Sequence, residues 1–140
     1  MPRRIIRIAA AVIERPGGEI VLVRKRGSAI FMQPGGKTEP GETPLAALLR
    51  ELHEELGLMV EARDVTALGQ FSAVAANEAD SDVVADAFWL RSDAPVRIAA
   101  EIEEAMWVQP HALPDIAIAP LSRNRILPAF RAQVVSGRLA

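Results

Sequence analysis

Residues 31–58 read FMQPGGKTEPGETPLAALLRELHEELGL, and the run after the Pro34-Gly35-Gly36 turn decides the fold. From Thr43 to Leu56 the pattern is helical. On a wheel of about 100° per residue, Leu45, Leu48, Leu49, Leu52 and Leu56 gather within about 100° of one another, a stripe made to face a core. Thr43 suits the N-cap, Pro44 suits a first turn where a missing N–H costs nothing, and Gly57 suits the residue that stops the helix. Glu51, Glu54 and Glu55 fall in the next arc, spaced i, i+3 and i+4. Like charges at that spacing repel by a few tenths of a kcal/mol per pair, so a helix that only packs has no use for all three. They lie beside the stripe rather than opposite it, and they follow a Gly-Gly loop able to bring backbone carbonyls close. Clustered carboxylates with a carbonyl oxygen are the hard-oxygen set that Mg²⁺ or Mn²⁺ prefers.

The rest of the chain supplies the frame. Residues 5–15 read as a strand, 16–18 as a turn and 19–26 as a second strand, which together predict a hairpin. Residues 30–33 are a short extended piece stopped by Pro34. Two Val-, Ala- and Phe-rich strands follow at 60–76 and 83–91, separated by the polar loop 77–82. A short strand over 105–110 and a helix over 121–135 complete the order, with Pro128 expected to kink or split that helix. Hairpin, helix, strands and helix in this order predict an α/β (α+β) mixed sheet covered by helices on both faces, in one domain over residues 1–140.

Composition narrows the function classes. The 140 residues carry 16 Lys and Arg against 18 Asp and Glu, a net charge of −2 that leaves no basic footprint for nucleic acid. Arg3, Arg4 and Arg7 alternate with isoleucines and fit an edge strand better than a nucleic-acid arm. There is no cysteine, which excludes a disulfide framework and a thiolate metal site. No apolar run reaches the ~20 residues of a membrane span. The basic, apolar start is broken by Arg7 and runs into a strand pattern, so a cytoplasmic protein is expected rather than a secreted one.

Residues 36–58 resemble the Nudix box, G-x5-E-x7-R-E-U-x-E-E-x-G-U with U an aliphatic residue, at every fixed position: Gly36, Glu42, Arg50, Glu51, Leu52, Glu54, Glu55, Gly57 and Leu58. The resemblance implies the Nudix fold, an α/β/α sandwich, and a metal-dependent hydrolase that cleaves a nucleoside diphosphate linked to another moiety. It implies Glu51 and Glu55 as metal ligands, Glu54 as a further member of the acidic cluster or a base, and the Gly35 carbonyl as a backbone ligand. Arg50 and Glu42 would pair and brace the loop against the helix, with Gly36 and Gly57 as structural glycines. Glu101, before the Trp107 strand, is the candidate for the extra metal-binding or base glutamate that family members often carry; a solvated acidic loop is the alternative.

Other positions leave two readings open. Lys37 contacts phosphate as a point charge or is a solvated loop lysine. Gln33 reads a base edge through its amide or bonds backbone. Trp107 is expected in the core, and Phe88 and Trp89 alternate on a strand so that one of them can face the substrate. His53 reads as a surface residue. Several subfamily features are missing: the stretch FSAVAA lacks the proline of ADP-ribose pyrophosphatases, and the chain has no tyrosine. Elimination favours the MutT type, acting on nucleoside triphosphates or oxidised ones. ADP-ribose or nucleotide-sugar hydrolysis and a non-catalytic nucleotide-sensing module are the alternatives. Homodimers are frequent in the family, so a homodimer is an expected assembly.

Overall fold

In a computed structural model describing residues 2–139, the elements are β1 (Arg4–Glu14), β2 (Ile20–Lys25), β3 (Phe31–Met32), β4 (Gly35–Lys37), α1 (Pro44–Leu56), β5 (Thr66–Val74), β6 (Ser81–Arg91), β7 (Ile102–Val108) and α2 (Leu127–Val135). The order across the sheet is β3-β2-β1-β6-β5, with β4 also on β1 and β7 also on β2. β1 is the axis. It runs parallel to β6 along its whole length and antiparallel to β4 at Ile8, Ala9 and Ala10. It is therefore a central strand, not the edge strand that its arginines suggest, and Arg3 just before it is tied to Asp82 at 3.0 Å.

Because strand side chains alternate, β1 feeds two cores. Ala9, Ala11 and Ile13 meet Ala47, Leu48, Leu52 and Leu56 of α1 on one face. Ala10 and Val12 meet Ile126, Leu127 and Phe130 on the other. The expected α+β mixed sheet between helices is what forms. Thr43 Oγ1 accepts from the Ala46 N–H at 3.1 Å, Pro44 stands in the first turn and Gly57 closes α1 with φ 67°. The apolar stripe of α1 is buried at Leu48, Leu52 and Leu56 and partly buried at Leu45 and Leu49.

Several expected elements differ. The turn after β1 forms, but β1 and β2 pair only at Glu14 and Ile20. Beyond that point β2 leaves for β7 and β3, and residues 33–34 enter the opening. There the Pro34 carbonyl accepts from the Ala11 N–H at 2.9 Å, while Gln33 Nε2 donates to the Ala11 carbonyl at 3.2 Å. Both polar backbone groups of Ala11 are thus satisfied without a β2 partner.

Residues 60–65 are not strand; Ala62–Asp64 is a 3₁₀ turn, and β5 starts at Thr66. The loop before β6 ends at Asp80, one residue before Ser81 opens the strand. β7 runs over Ile102–Val108, beginning and ending before the expected 105–110. The C-terminal helix is split as Pro128 demands. Pro128 has no N–H to give, the Leu127 N–H reaches back five residues to the Ser122 carbonyl, and a wide π turn over Ser122–Ile126 precedes α2. No helix among the described residues is long and apolar enough to cross a membrane.

The fully buried Leu52 anchors α1 on the sheet. Leu52→Ala is expected to lower the unfolding free energy by about 2–5 kcal/mol in urea titration. His53→Ala, one residue on and exposed, should stay within about 0.5 kcal/mol of wild type.

Candidate functional site

α1 delivers its three carboxylates into three different surroundings. Glu55 is buried, 2% exposed, and its Oε1 accepts from the Gly35 N–H at 3.2 Å. Burial pushes its carboxyl up to about 7; the Gly35 hydrogen bond opposes this, the negative charges of Glu51 and Glu101 add to it, and the Lys25 charge works against it. Glu51 is nearly enclosed, with its Oε1 2.7 Å from Arg50 Nη1. Glu54 is half exposed and 3.6 Å from the same nitrogen. The three share a side of the helix as the spacing predicts, yet they do not converge. Among the described residues, no group of three acidic or histidine side chains is gathered as a metal cage.

The glycines set these distances. Gly35 has φ 148°, and a Cβ there would stand 2.0 Å from the Ala9 carbonyl oxygen. Only glycine lets β4 lie so close on β1, and that approach aims the Gly35 amide at Glu55. A Cβ at Gly36 would lie 2.4 Å from the Glu51 carboxyl carbon, so the Glu51 carboxylate occupies the space that the missing side chain leaves.

Arg50 binds the loop to the helix. Its Nε and Nη2 donate to the two Glu42 oxygens at 2.8 and 2.9 Å, a two-pronged pair, and Nη2 also donates to the Lys37 carbonyl at 3.1 Å. Arg50 holds the Glu42 carboxyl down to about 2, helped by the Glu39 N–H, while Glu42 in turn pushes the Arg50 guanidinium up. Gly57 lies at the end of α1, its N–H bonded to the His53 carbonyl at 3.0 Å.

The remaining candidates lie around this core. Glu101 is exposed, bonded to Lys25 at 3.3 Å, and near enough to Glu55 to act on its charge. Lys37 is exposed and paired with Glu78 at 3.2 Å. Gln33 is buried and does bond backbone. Lys25, Met32, Gln33, Gly35, Gly36 and Lys37 line one end of a cleft, with residues 75–78 on its far side. Phe88 and Trp89 do not line it. Phe88 packs on the α1 side, and Trp89 donates to Glu14 at 2.9 Å with Arg91 over its ring. Trp107 is partly buried, with Arg15 4.3 Å above its ring. Sequence reading missed Lys25 and Glu78. The only signal for Lys25 is its register opposite Ile102, beside Glu101, and strand register is not written locally.

The NUDIX domain family matches residues 4–130, and the chain belongs to it. It is accordingly a Nudix hydrolase, an enzyme of acid-anhydride cleavage. Among curated proteins it is 33% identical over 118 residues to a Haemophilus influenzae 8-oxo-dGTP diphosphatase, covering 81% of this chain and 82% of that protein. It is 31% identical over 121 residues to the Escherichia coli CTP pyrophosphohydrolase, covering 84% and 85%. The solution structure of the E. coli ORF135 protein superposes with a TM-score of 0.75 at 27% identity, over 96% of this chain and 94% of that one.

The raised Glu55 carboxyl has a consequence for stability. The unfolded chain loses this proton near 4.5 and the folded chain near 7, so the folded state binds more protons between these values. Stability contributed by the protonated form is complete below pH 4.5 and is lost as pH rises through 7, roughly 3 kcal/mol in all. Glu55→Gln can keep the Gly35 bond without the charge. In chelator-treated protein its Tm is expected to exceed wild type by about 10 °C at pH 8 and to match it at pH 4. Equal Tm values at pH 8 would contradict the desolvation.

Proposed function

We propose that this chain hydrolyses the pyrophosphate linkage of a nucleoside triphosphate, canonical or oxidised, with Mg²⁺ or Mn²⁺ as cation. The observation that carries the reading is the buried, charge-starved Glu55 held on the Gly35 amide, with Glu51 packed on Gly36, at the head of a cleft that also carries Lys25 and Lys37. The names of the relatives, an 8-oxo-dGTP diphosphatase and a CTP pyrophosphohydrolase, support the substrate class.

The residues suit a hard divalent cation. Every donor on offer is an oxygen, and the Glu55 carboxylate has one N–H as partner for a charge removed from water. Glu51, Glu55, Glu54 and the Gly35 carbonyl would hold the ion. When bound, it supplies neutralisation of the diphosphate charge and acidification of water near neutral pH.

The chain's own side chains do the rest. Arg50 and Glu42 fix the loop on α1, so that Glu51 and Glu55 keep their separation. Lys37 meets phosphate once it leaves Glu78. Glu101, exposed beside Glu55, is the candidate proton acceptor, and Glu54 is the other carboxylate open to water. The reading takes the cytoplasm as compartment, one domain over the chain, and a homodimer as candidate assembly.

The test is a hydrolysis screen with Mg²⁺ over nucleoside triphosphates, oxidised nucleotides, ADP-ribose and nucleotide sugars. Glu51→Gln and Glu55→Gln are each expected to lower turnover by on the order of a hundredfold or more while the protein stays folded. Gly36→Ala should do the same through Glu51, because its new methyl meets the end of a flexible side chain rather than backbone. Near-wild-type turnover in both glutamine variants at saturating Mg²⁺ would remove these residues from the reaction.

A further inference from the structure

Gln33 is 5% exposed, yet only part of it is satisfied. Its backbone N–H donates to Ser122 Oγ at 3.1 Å, and its Nε2 donates to the Ala11 carbonyl at 3.2 Å. The second bond settles which end of the amide is which, since the reversed amide would set Oε1 against another acceptor. Oε1 is left buried without a partner, and among the described residues it is the only side-chain nitrogen or oxygen in that condition. A buried carbonyl that faces no donor costs free energy and calls for a reason.

The cleft supplies one. Its two ends share Ile8, Met32, Gln33, Ala76 and Val83. Lys25, Gly35, Gly36 and Lys37 lie at the first end, beside the carboxylates of α1. The second end is closed by Val74, Ala119, Leu121 and Ile126, apolar walls of the kind that take a flat ring. The polar side chains there are Ser122, already engaged with the Gln33 N–H, and Gln33 itself. A nucleotide with its phosphates at the lysines would carry its base toward Gln33.

We infer that Gln33 determines specificity, its Oε1 accepting a hydrogen bond from an exocyclic amino group on the substrate base. This rests on the nucleotide hydrolysis proposed above and adds the class of base. An exocyclic amino group stands out from the ring and can meet an oxygen set into the wall, whereas a ring N–H lies flush with the edge. An oxo group at the same position would bring two acceptors face to face. Cytosine and adenine are therefore favoured over their oxo counterparts, uracil and hypoxanthine.

The experiment measures kcat/KM with Mg²⁺ for CTP against UTP and ATP against ITP. In wild type each amino substrate should lead its oxo partner by about ten- to a hundredfold. In Gln33→Leu the ratios should fall to within about threefold of unity. Each ratio is taken within one preparation, so a loss of folded protein cancels; Gln33→Met, closer in shape, serves if the leucine variant does not fold. Equal rates in wild type, or ratios that survive both substitutions, would overturn the inference while leaving the hydrolysis standing. Failure to cleave any nucleotide would overturn the hydrolysis and the inference together.

Discussion

The site depends on one close approach. β4 lies on β1 at Gly35 nearer than any side-chain-bearing residue permits, because a Cβ would overlap the Ala9 carbonyl oxygen at 2.0 Å. That contact spends the N–H of Gly35 on Glu55 rather than on the sheet. It also carries Gly36 to where Glu51 can lie across it. The chain then continues into the loop that Arg50 clamps through Glu42 and the Lys37 carbonyl. Sheet, loop and helix are thereby fixed to one another at a single point, and the carboxylates of α1 inherit their positions from it.

Three glutamates within five residues share a helix but not a chemistry. Glu51 is neutralised by a guanidinium, Glu54 is screened by water, and Glu55 is removed from both. The helix supplies adjacency, while the sheet beneath its C-terminal half supplies the difference. Arg50 is the counterweight: with a pKa pushed upward by its partners, it stays cationic and keeps Glu42 ionised. Against that fixed charge, burial raises the Glu55 carboxyl to about 7.

Local pattern made α1 legible from cap to stop, because the leucine period, Thr43, Pro44 and Gly57 all report the same helix. The pairing of Arg50 with Glu42 was legible too, through the resemblance of residues 36–58 to a known box. The central place of β1 was not. Its arginines resemble edge protection, and what makes it central is pairing with β6, more than seventy residues away. The opening between β1 and β2 was equally hidden, since a Pro-Gly-Gly turn announces a hairpin and says nothing of where two strands part. The separate environments of Glu51, Glu54 and Glu55 could not be read from spacing, which gives angles around an axis and not what stands opposite. Gln33 showed its donor role only once Ala11 was seen to lack a partner on the β2 side.

Two side-chain contacts at the surface tie the segment between β5 and β6 to the rest of the chain, Lys37 with Glu78 at 3.2 Å and Ser28 with Asn77 at 3.1 Å. Exposed contacts of this kind are each worth about 1 kcal/mol or less. The Lys37–Glu78 contact is also ionic, so added salt screens and weakens it. On the hydrolysis proposed above, Glu78 would be a tethered counterion that the more highly charged phosphates of a substrate displace from Lys37.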